Sequence, residues 1–306
     1  MPTLPSNPSP ESEAAPVTGD QHASALSASE QPTSRQLNAI RLSGSGTSAP
    51  VLLDTIEEVP IAFSYGGIAH GVMMASPTDL DDFAVGFTVT EGIASGPGDI
   101  RQVEIRLRDD GCEVDTMLAP EAFHAFLARR RVRSLRGHTS CGLCGVEDLV
   151  DVARADLAQR RTAIAASATP VIELEAMRNA LESLRNHQPL SRRTHAAHAA
   201  GWATLSGEIV LVREDVGRHS ALDKLIGACL RNGIDVADGF CVITSRCSYE
   251  MVQKTVAAGM RVLVAVSAPT ALAVRSAESA GLTLVASARS DAQVVYAGAN
   301  RILTIG

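Results

Sequence analysis

Apolar positions along this chain follow two regimes. From Glu58 to Ala75, the stretch EVPIAFSYGGIAHGVMMA carries two apolar runs about a Gly66-Gly67 pair, which predicts two strands joined by a hairpin. Beyond Pro77, Leu80, Phe83, Ala84 and Phe87 recur at helical spacing. Thr78 is expected to cap this helix, Asp79, Asp81 and Asp82 suit its positive end, and Gly92 is a natural stop. VEIRLRDDGCEVDTML reads as a second hairpin turning at Asp109, Asp110 and Gly111, and PEAFHAFLARRRVRSLRGH as a basic helix. Residues 36–135 are therefore read as an N-terminal α+β domain, with structure beginning near Leu37 and Arg41.

The second regime is a cadence of strands and helices. A loop and linker over residues 136–168 contains GVEDLVDVARADL, a short helix, and residues 169–306 are read as a C-terminal domain opened by the helical stretch VIELEAMRNALESLRNH. WATLSGEIVLV predicts a hairpin, GRHSALDKLIGACL a helix, FCVIT a strand and YEMVQKTVAAGM a helix. RVLVAVS, PTALAVRSAESA and LTLVASA continue as strand, helix and strand. Such alternation predicts an α/β layer with partly parallel strands, so the chain is placed in the α/β class.

Composition narrows the picture. Residues 1–35 are rich in Ser, Pro, Ala and Glu and nearly devoid of large apolar side chains, so they are read as a disordered tail. A formal net charge of −7 and an aromatic content of 3% argue against nucleic acid as a partner. The long apolar run RVLVAVSAPTALAV begins at Arg261 and is broken by Pro269, short of the roughly 20 residues a membrane helix needs, so no membrane partner is expected. The N-terminus has no apolar segment behind a basic start, which predicts a cytoplasmic, reducing setting. The six cysteines, at positions 112, 141, 144, 229, 241 and 247, are then expected to be mostly free thiols.

TSCGLCG places Cys141 and Cys144 in a C-x-x-C spacing that has three physical readings: half a zinc site, a dithiol redox pair, or a thiolate that carries sulfur. Spacing alone leaves all three open. Arg129, Arg130, Arg131, Arg133, Arg136 and His138 precede the pair, and the helix expected near Val146 would aim N–H groups at the thiols; both favour thiolate. Glu147 and Asp148 pull the other way, and the arginines also suit a solvated helix face. Gly142 and Gly145 make the loop permissive enough to reach into a partner.

A second cluster, REDVGRHSALDK, gathers Arg213, Glu214, Asp215, Arg218, His219, Asp223 and Lys224 about a strand-to-helix junction. Free amides at a helix start near Gly217 would suit a phosphate-bearing ligand; the plainer alternative is a helix capped by Asp215 with Lys224 solvated. TSRCSYE repeats the arrangement with Ser245, Arg246 and Ser248, and SAPT supplies a third loop with Ser267 and Thr270. N-capping is a sufficient role for Ser248 or Thr270. His195 and His198, three apart, have the spacing of metal ligands, though a structural or surface role explains them equally. The H-x-E and P-C-x-x-C strings of zinc nucleoside deaminases are absent.

EVPIAFSYGGIAHGVMMASPTDLDDFAVGFTVTEGI, TSCGLCG, REDVGRHSALDKLIG, TSRCSYEMVQK, SAPTALAV and GLTLVASAR stand in the order found in the FdhD family, which the chain resembles over most of residues 40–300. That family comprises sulfur carrier proteins required for formate dehydrogenase activity. The resemblance implies a cytoplasmic, sulfurtransferase-like accessory protein. A cysteine desulfurase would pass persulfide sulfur to Cys141, with Cys144 assisting, for delivery to a molybdenum or tungsten bis-guanylyl-pterin cofactor before it enters formate dehydrogenase. It further implies a homodimer and a cytidine-deaminase-like C-terminal region. That region would hold Mo-bis(molybdopterin guanine dinucleotide) as cargo, with a guanine nucleotide as its mimic. By this likeness the cofactor contacts are Ser287, Ala288, Arg289, Ser290, Asp291 and Ala292, together with His198, Glu214, Asp215, Arg218, His219, Asp223, Lys224, Ser245, Arg246 and Ser248, and no resident metal. Three departures stand out. His195, Ala196 and Ala197 lie where the family carries a Gly-Gly pair, Cys247 replaces a small residue as an extra thiol or a small hydrophobe, and Ser287 and Ser290 replace an aromatic and a Gly. Two rival readings remain, a non-catalytic cofactor chaperone whose C-x-x-C binds metal or a partner, and a dithiol oxidoreductase.

Overall fold

A computed structural model of the chain describes residues 32–44, 46, 48–134, 171–289 and 292–303. Residues 1–31 of the expected 1–35 tail, the cysteine loop and the helix after it lie outside these residues, while Ser34 and Arg35 at the end of that tail belong to the first strand. Strands β1 (Ser34–Leu42) and β2 (Ser48–Ile56) pair antiparallel as a two-stranded ribbon. Strands β3 (Val59–Tyr65) and β4 (Ile68–Ala75) follow, then helix α1 (Leu80–Thr90), strands β5 (Ile100–Arg108) and β6 (Gly111–Leu118), and helix α2 (Pro120–Ser134). The order β4-β3-β6-β5 sets the two expected hairpins side by side, with β3 and β6 parallel. Gly66 and Gly67 take φ of 56° and 76°, as a two-residue hairpin turn of matching twist requires. Ile61, Phe63 and Val114 of this sheet pack against Phe83 and Phe87 of α1; Phe63 stacks on Phe87 at 4.4 Å and meets Phe83 edge-on at 5.0 Å.

Beyond residue 170 come β7 (Ile172–Glu173), α3 (Leu174–Leu184), α4 (Pro189–Thr194), β8 (His198–Thr204), β9 (Ile209–Asp215) and α5 (Arg218–Arg231). Then β10 (Gly239–Ile243), α6 (Tyr249–Ala257), β11 (Val262–Ala265), α7 (Ala271–Ala280), β12 (Thr283–Ala286), β13 (Val294–Ala297) and β14 (Ile302–Leu303) complete the chain. Six strands form one mixed sheet in the order β13-β12-β11-β10-β8-β9, with β10, β11 and β12 parallel. Alternate residues of β10 serve opposite cores: Cys241 and Ile243 meet α5, α6 and α7, whereas Phe240 and Val242 meet α3. Burial on both faces is why these short strands read as unbroken apolar runs.

The two sheets meet through helices α1 and α5. A Cβ on Gly86 would lie 1.7 Å from the Asp223 carbonyl oxygen, and one on Gly227 would lie 1.8 Å from that of Asp82. The backbones therefore touch only because both positions lack a side chain. Charge reinforces the contact: Asp82 accepts from Arg213 at 2.7 Å and from Arg231 at 2.6 Å. Lys254 lies 2.9 Å from Asp223 and 3.1 Å from Glu91, and the Thr90 hydroxyl donates to Asp223 at 2.7 Å.

Two expectations need correcting. Thr78 does not cap α1: Asp79 does, in a left-handed conformation with φ 50°, no side-chain cap bond, and its carbonyl accepting from the Phe83 amide. Asp82 lies in the first turn of α1 as expected, and α1 also turns it into the contact with α5. Ile172 and Glu173, read as the start of a helix, pair instead with β14 as a parallel strand. Gly92, with φ 66°, does end α1 as expected.

Candidate functional site

Because β10, β11 and β12 are parallel, their carboxyl ends share one edge of the large sheet. Strand β8 runs against β10 and β9 against β8, which brings the start of β8 and the end of β9 to that same edge. His198 is thus registered against Asp215, and Ala200 against Ile243. The helices that leave this edge, α5, α6 and α7, begin after Gly217, Ser248 and Thr270. Only Thr270 closes a side-chain cap, accepting from the Ala273 amide at 3.2 Å; Ser248 occupies the cap position of α6 without one. Three helix N-termini directed at one edge favour negative charge there.

The residues nominated from the sequence divide by the direction they face. Arg246 and Arg289 are exposed at the ends of β10 and β12, and Arg218 is the first residue of α5. None of the three has a hydrogen-bonded carboxylate among the described residues, and the buried Nε of Arg218 has no partner there. His219 Nε2 lies 2.9 Å from Glu250 Oε2 in a close polar contact that falls short of hydrogen-bond geometry, and the Ser248 hydroxyl reaches the same oxygen at 3.4 Å. The His219 contact is the main cause holding the Glu250 carboxyl below its ordinary range, with the charge of Arg218 adding to it. His198 is half-buried, and burial first, then the nearby Arg218, lowers its pKa below the usual imidazole value. Ser245 is buried and donates to the Arg246 carbonyl at 3.1 Å.

Other nominees turn inward. Lys224 and Asp215 are wholly buried and paired at 2.6 Å. Asp215 also accepts from the Ser76 amide at 3.0 Å and the Gly217 amide at 2.7 Å, and Lys224 donates to the Ser76 carbonyl at 2.9 Å. Lys224 is therefore not the solvated side chain of the plainer alternative; with Asp215 it braces the Val216–Gly217 turn against the end of β4. Asp223 lies under α1 with Thr90 and Lys254, away from the edge. Glu214 gives both oxygens to the start of α4, accepting from Leu190 and Ser191 amides at 2.8 Å each. These four carboxylate and ammonium groups shape the edge and do not face it, since their polar atoms are already matched inside the protein.

Cys247 ties two edge loops together: it bridges to Pro269, its amide donates to Ala268 and its carbonyl accepts from Thr270. Its thiol is buried and pushed up to about 12, so of the two roles foreseen it fills that of a small hydrophobe. At the end of β12, Ser287 takes φ 51°, Ala288 is buried with its amide on the Ala265 carbonyl, and the Arg289 amide donates to Ala292. Ser290, Asp291, Cys141 and Cys144 lie outside the described residues. The sequence reading missed Ser76, whose only signal was a lone polar residue after an apolar strand. It also missed Glu250, three residues past the nominated Ser-Arg-Cys string.

An α/β protein with an anion-favouring edge at the carboxyl ends of its parallel strands is the class this architecture defines. The model of the FdhD/NarQ family matches residues 56–303, and the chain belongs to that family. The sulfur carrier protein FdhD of Bordetella parapertussis is 46% identical over 277 residues, covering 90% of this chain and 97% of the relative. The protein of the same name from Cupriavidus necator is 49% identical over 249 residues, covering 81% and 83%. A crystal structure from Desulfotalea psychrophila, titled as that of a candidate formate dehydrogenase accessory protein, matches in fold. It has a TM-score of 0.68 at 22% identity and covers 89% of this chain and 100% of its own.

Proposed function

We propose that this protein is a sulfur carrier serving formate dehydrogenase. It takes persulfide sulfur from a cysteine desulfurase onto Cys141, with Cys144 assisting, and delivers it to a molybdenum or tungsten bis-guanylyl-pterin cofactor. That cofactor is cargo, docked by its phosphate-bearing, guanine-nucleotide part along the edge of Arg218, His219, Arg246 and residues 287–292, in a cytoplasmic homodimer. The names of the curated relatives support the carrier role, and the cationic edge with its three helix N-termini supports a phosphate-bearing cargo.

The observation that carries the reading is the state of the other thiols. Sulfur relay needs an accessible thiolate. Cys112, Cys229, Cys241 and Cys247 are all buried, and burial raises the pKa of each, Cys229 and Cys247 to about 12. Of six cysteines this leaves Cys141 and Cys144 for the chemistry. Brief alkylation of the native protein near neutral pH, read by peptide mass spectrometry, should label these two and spare the other four until denaturant is added. Fast labelling of any of the four buried thiols would contradict the assignment. For the cargo, guanosine diphosphate should bind the wild type and lose at least tenfold in affinity in Arg218→Gln, the loss of one charge-assisted hydrogen bond of about 1.5–3 kcal/mol. Zinc in stoichiometric amount, lost in a double Cys→Ala variant, would instead favour a structural metal at the C-x-x-C.

A further inference from the structure

Glu250 is out of place at an edge built to attract anions. It is the second residue of α6, between the loop bearing Arg246 and the start of α5. Its Oε2 lies 2.9 Å from His219 and is approached by Ser248 at 3.4 Å, while Oε1 has no hydrogen bond among the described residues. The side chain is 28% exposed, so its charge faces whatever docks. We propose that Glu250 is a specificity-determining residue, a built-in counter-anion that occupies the corner beside His219 and Arg218 and so turns away small free anions from the edge. The inference rests on the edge being the docking place of a phosphate-bearing cargo.

Linkage is the physical argument. Glu250 lies 2.9 Å from His219 and feels the charge of Arg218, whose buried Nε has no partner among the described residues, and these are groups an entering phosphate would also use. Coupling between two anions that share the same donors is reciprocal and unfavourable: each weakens the hold of the other. A free phosphate or sulfate meets this opposition with nothing to offset it. A cargo large enough to reach Arg246 and Arg289 as well gains contacts beyond the contested corner, and binds in spite of Glu250. The carboxylate therefore discriminates by size and number of contacts, keeping the edge clear of the abundant inorganic anions of a cell.

Sulfate titrations by calorimetry on the full chain at low ionic strength test this. Glu250→Gln, which keeps shape and removes charge, should bind sulfate about tenfold more tightly than the wild type, the scale of one like-charge contact near a protein surface. Glu250→Asp, which keeps the charge, should stay as weak as the wild type, a result that mere loss of a helix contact would not give. Arg218→Gln added to Glu250→Gln should abolish the gain. Unchanged or weaker sulfate binding by Glu250→Gln, or a gain that survives Arg218→Gln, overturns the proposal. Guanosine diphosphate titrations of the wild type report separately on the docking edge: if they show binding and sulfate shows no gain, only the role of Glu250 fails.

Discussion

At the scale of single residues, two backbone and side-chain states carry measurable consequences. His195 sits at φ 53°, a left-handed conformation that costs a residue with a Cβ about 1–2 kcal/mol and glycine little. Its side chain is exposed, so His195→Gly should be neutral to stabilising by up to about 1 kcal/mol in urea unfolding, after glycine's larger loss of entropy is offset. A clear destabilisation would show that the imidazole makes a contact of its own. His198 differs, being half-buried beside Arg218 with its pKa held below 6.5. A folded-state pKa below the unfolded one means the unfolded chain binds more protons between the two values. The stability owed to His198 is therefore full above about pH 6.5 and is lost as pH falls through its folded value. Proton NMR should find His198 titrating below 6.5, and His198→Gln should flatten that part of the stability profile; titration above 6.5 would contradict the burial argument.

Between elements, the contact of α1 with α5 decides most. Gly86→Ala or Gly227→Ala would drive a methyl into backbone, which cannot yield as a flexible side chain can, and should cost roughly 3 kcal/mol or more. Lys224→Met leaves Asp215 buried without its cation and should cost about 3–5 kcal/mol, seen as an earlier unfolding midpoint. Near-neutral glycine variants would mean that the helices do not meet as closely as described, and a near-neutral Lys224→Met that Asp215 is not buried against its cation. Little of this contact was legible in the sequence. Strands β10 to β12 and helices α5 to α7 were readable, because each is a short apolar run or a 3.6-residue repeat bounded by a turn. The β1–β2 ribbon was not, as Leu37, Ile40, Leu42, Leu52 and Leu53 stay exposed and show no clean two-residue alternation. Pairings such as Ser76 with Asp215, or Asp82 with Arg213, join residues that no local period connects. The loops of the site could be named from sequence, but which of their charges turn inward could not. That choice belongs to α1 and β4, which arrive from the other end of the chain.

Across the whole molecule, the smaller sheet acts on the edge of the larger one from behind. Ser76, at the end of β4, fixes the turn that launches Arg218 and His219, while Thr90 and Glu91, at the end of α1, hold Asp223 and Lys254 in α5 and α6. The nominated edge is thus braced from both sheets. The four described cysteines are buried, which is why the proposed sulfur relay falls to the C-x-x-C. The most direct test is intact mass spectrometry after incubation with a cysteine desulfurase and cysteine. Wild type should gain the mass of one or more sulfur atoms, reversible by reductant, and Cys141→Ala should gain none. Equal sulfur uptake by wild type and Cys141→Ala would contradict a relay through Cys141.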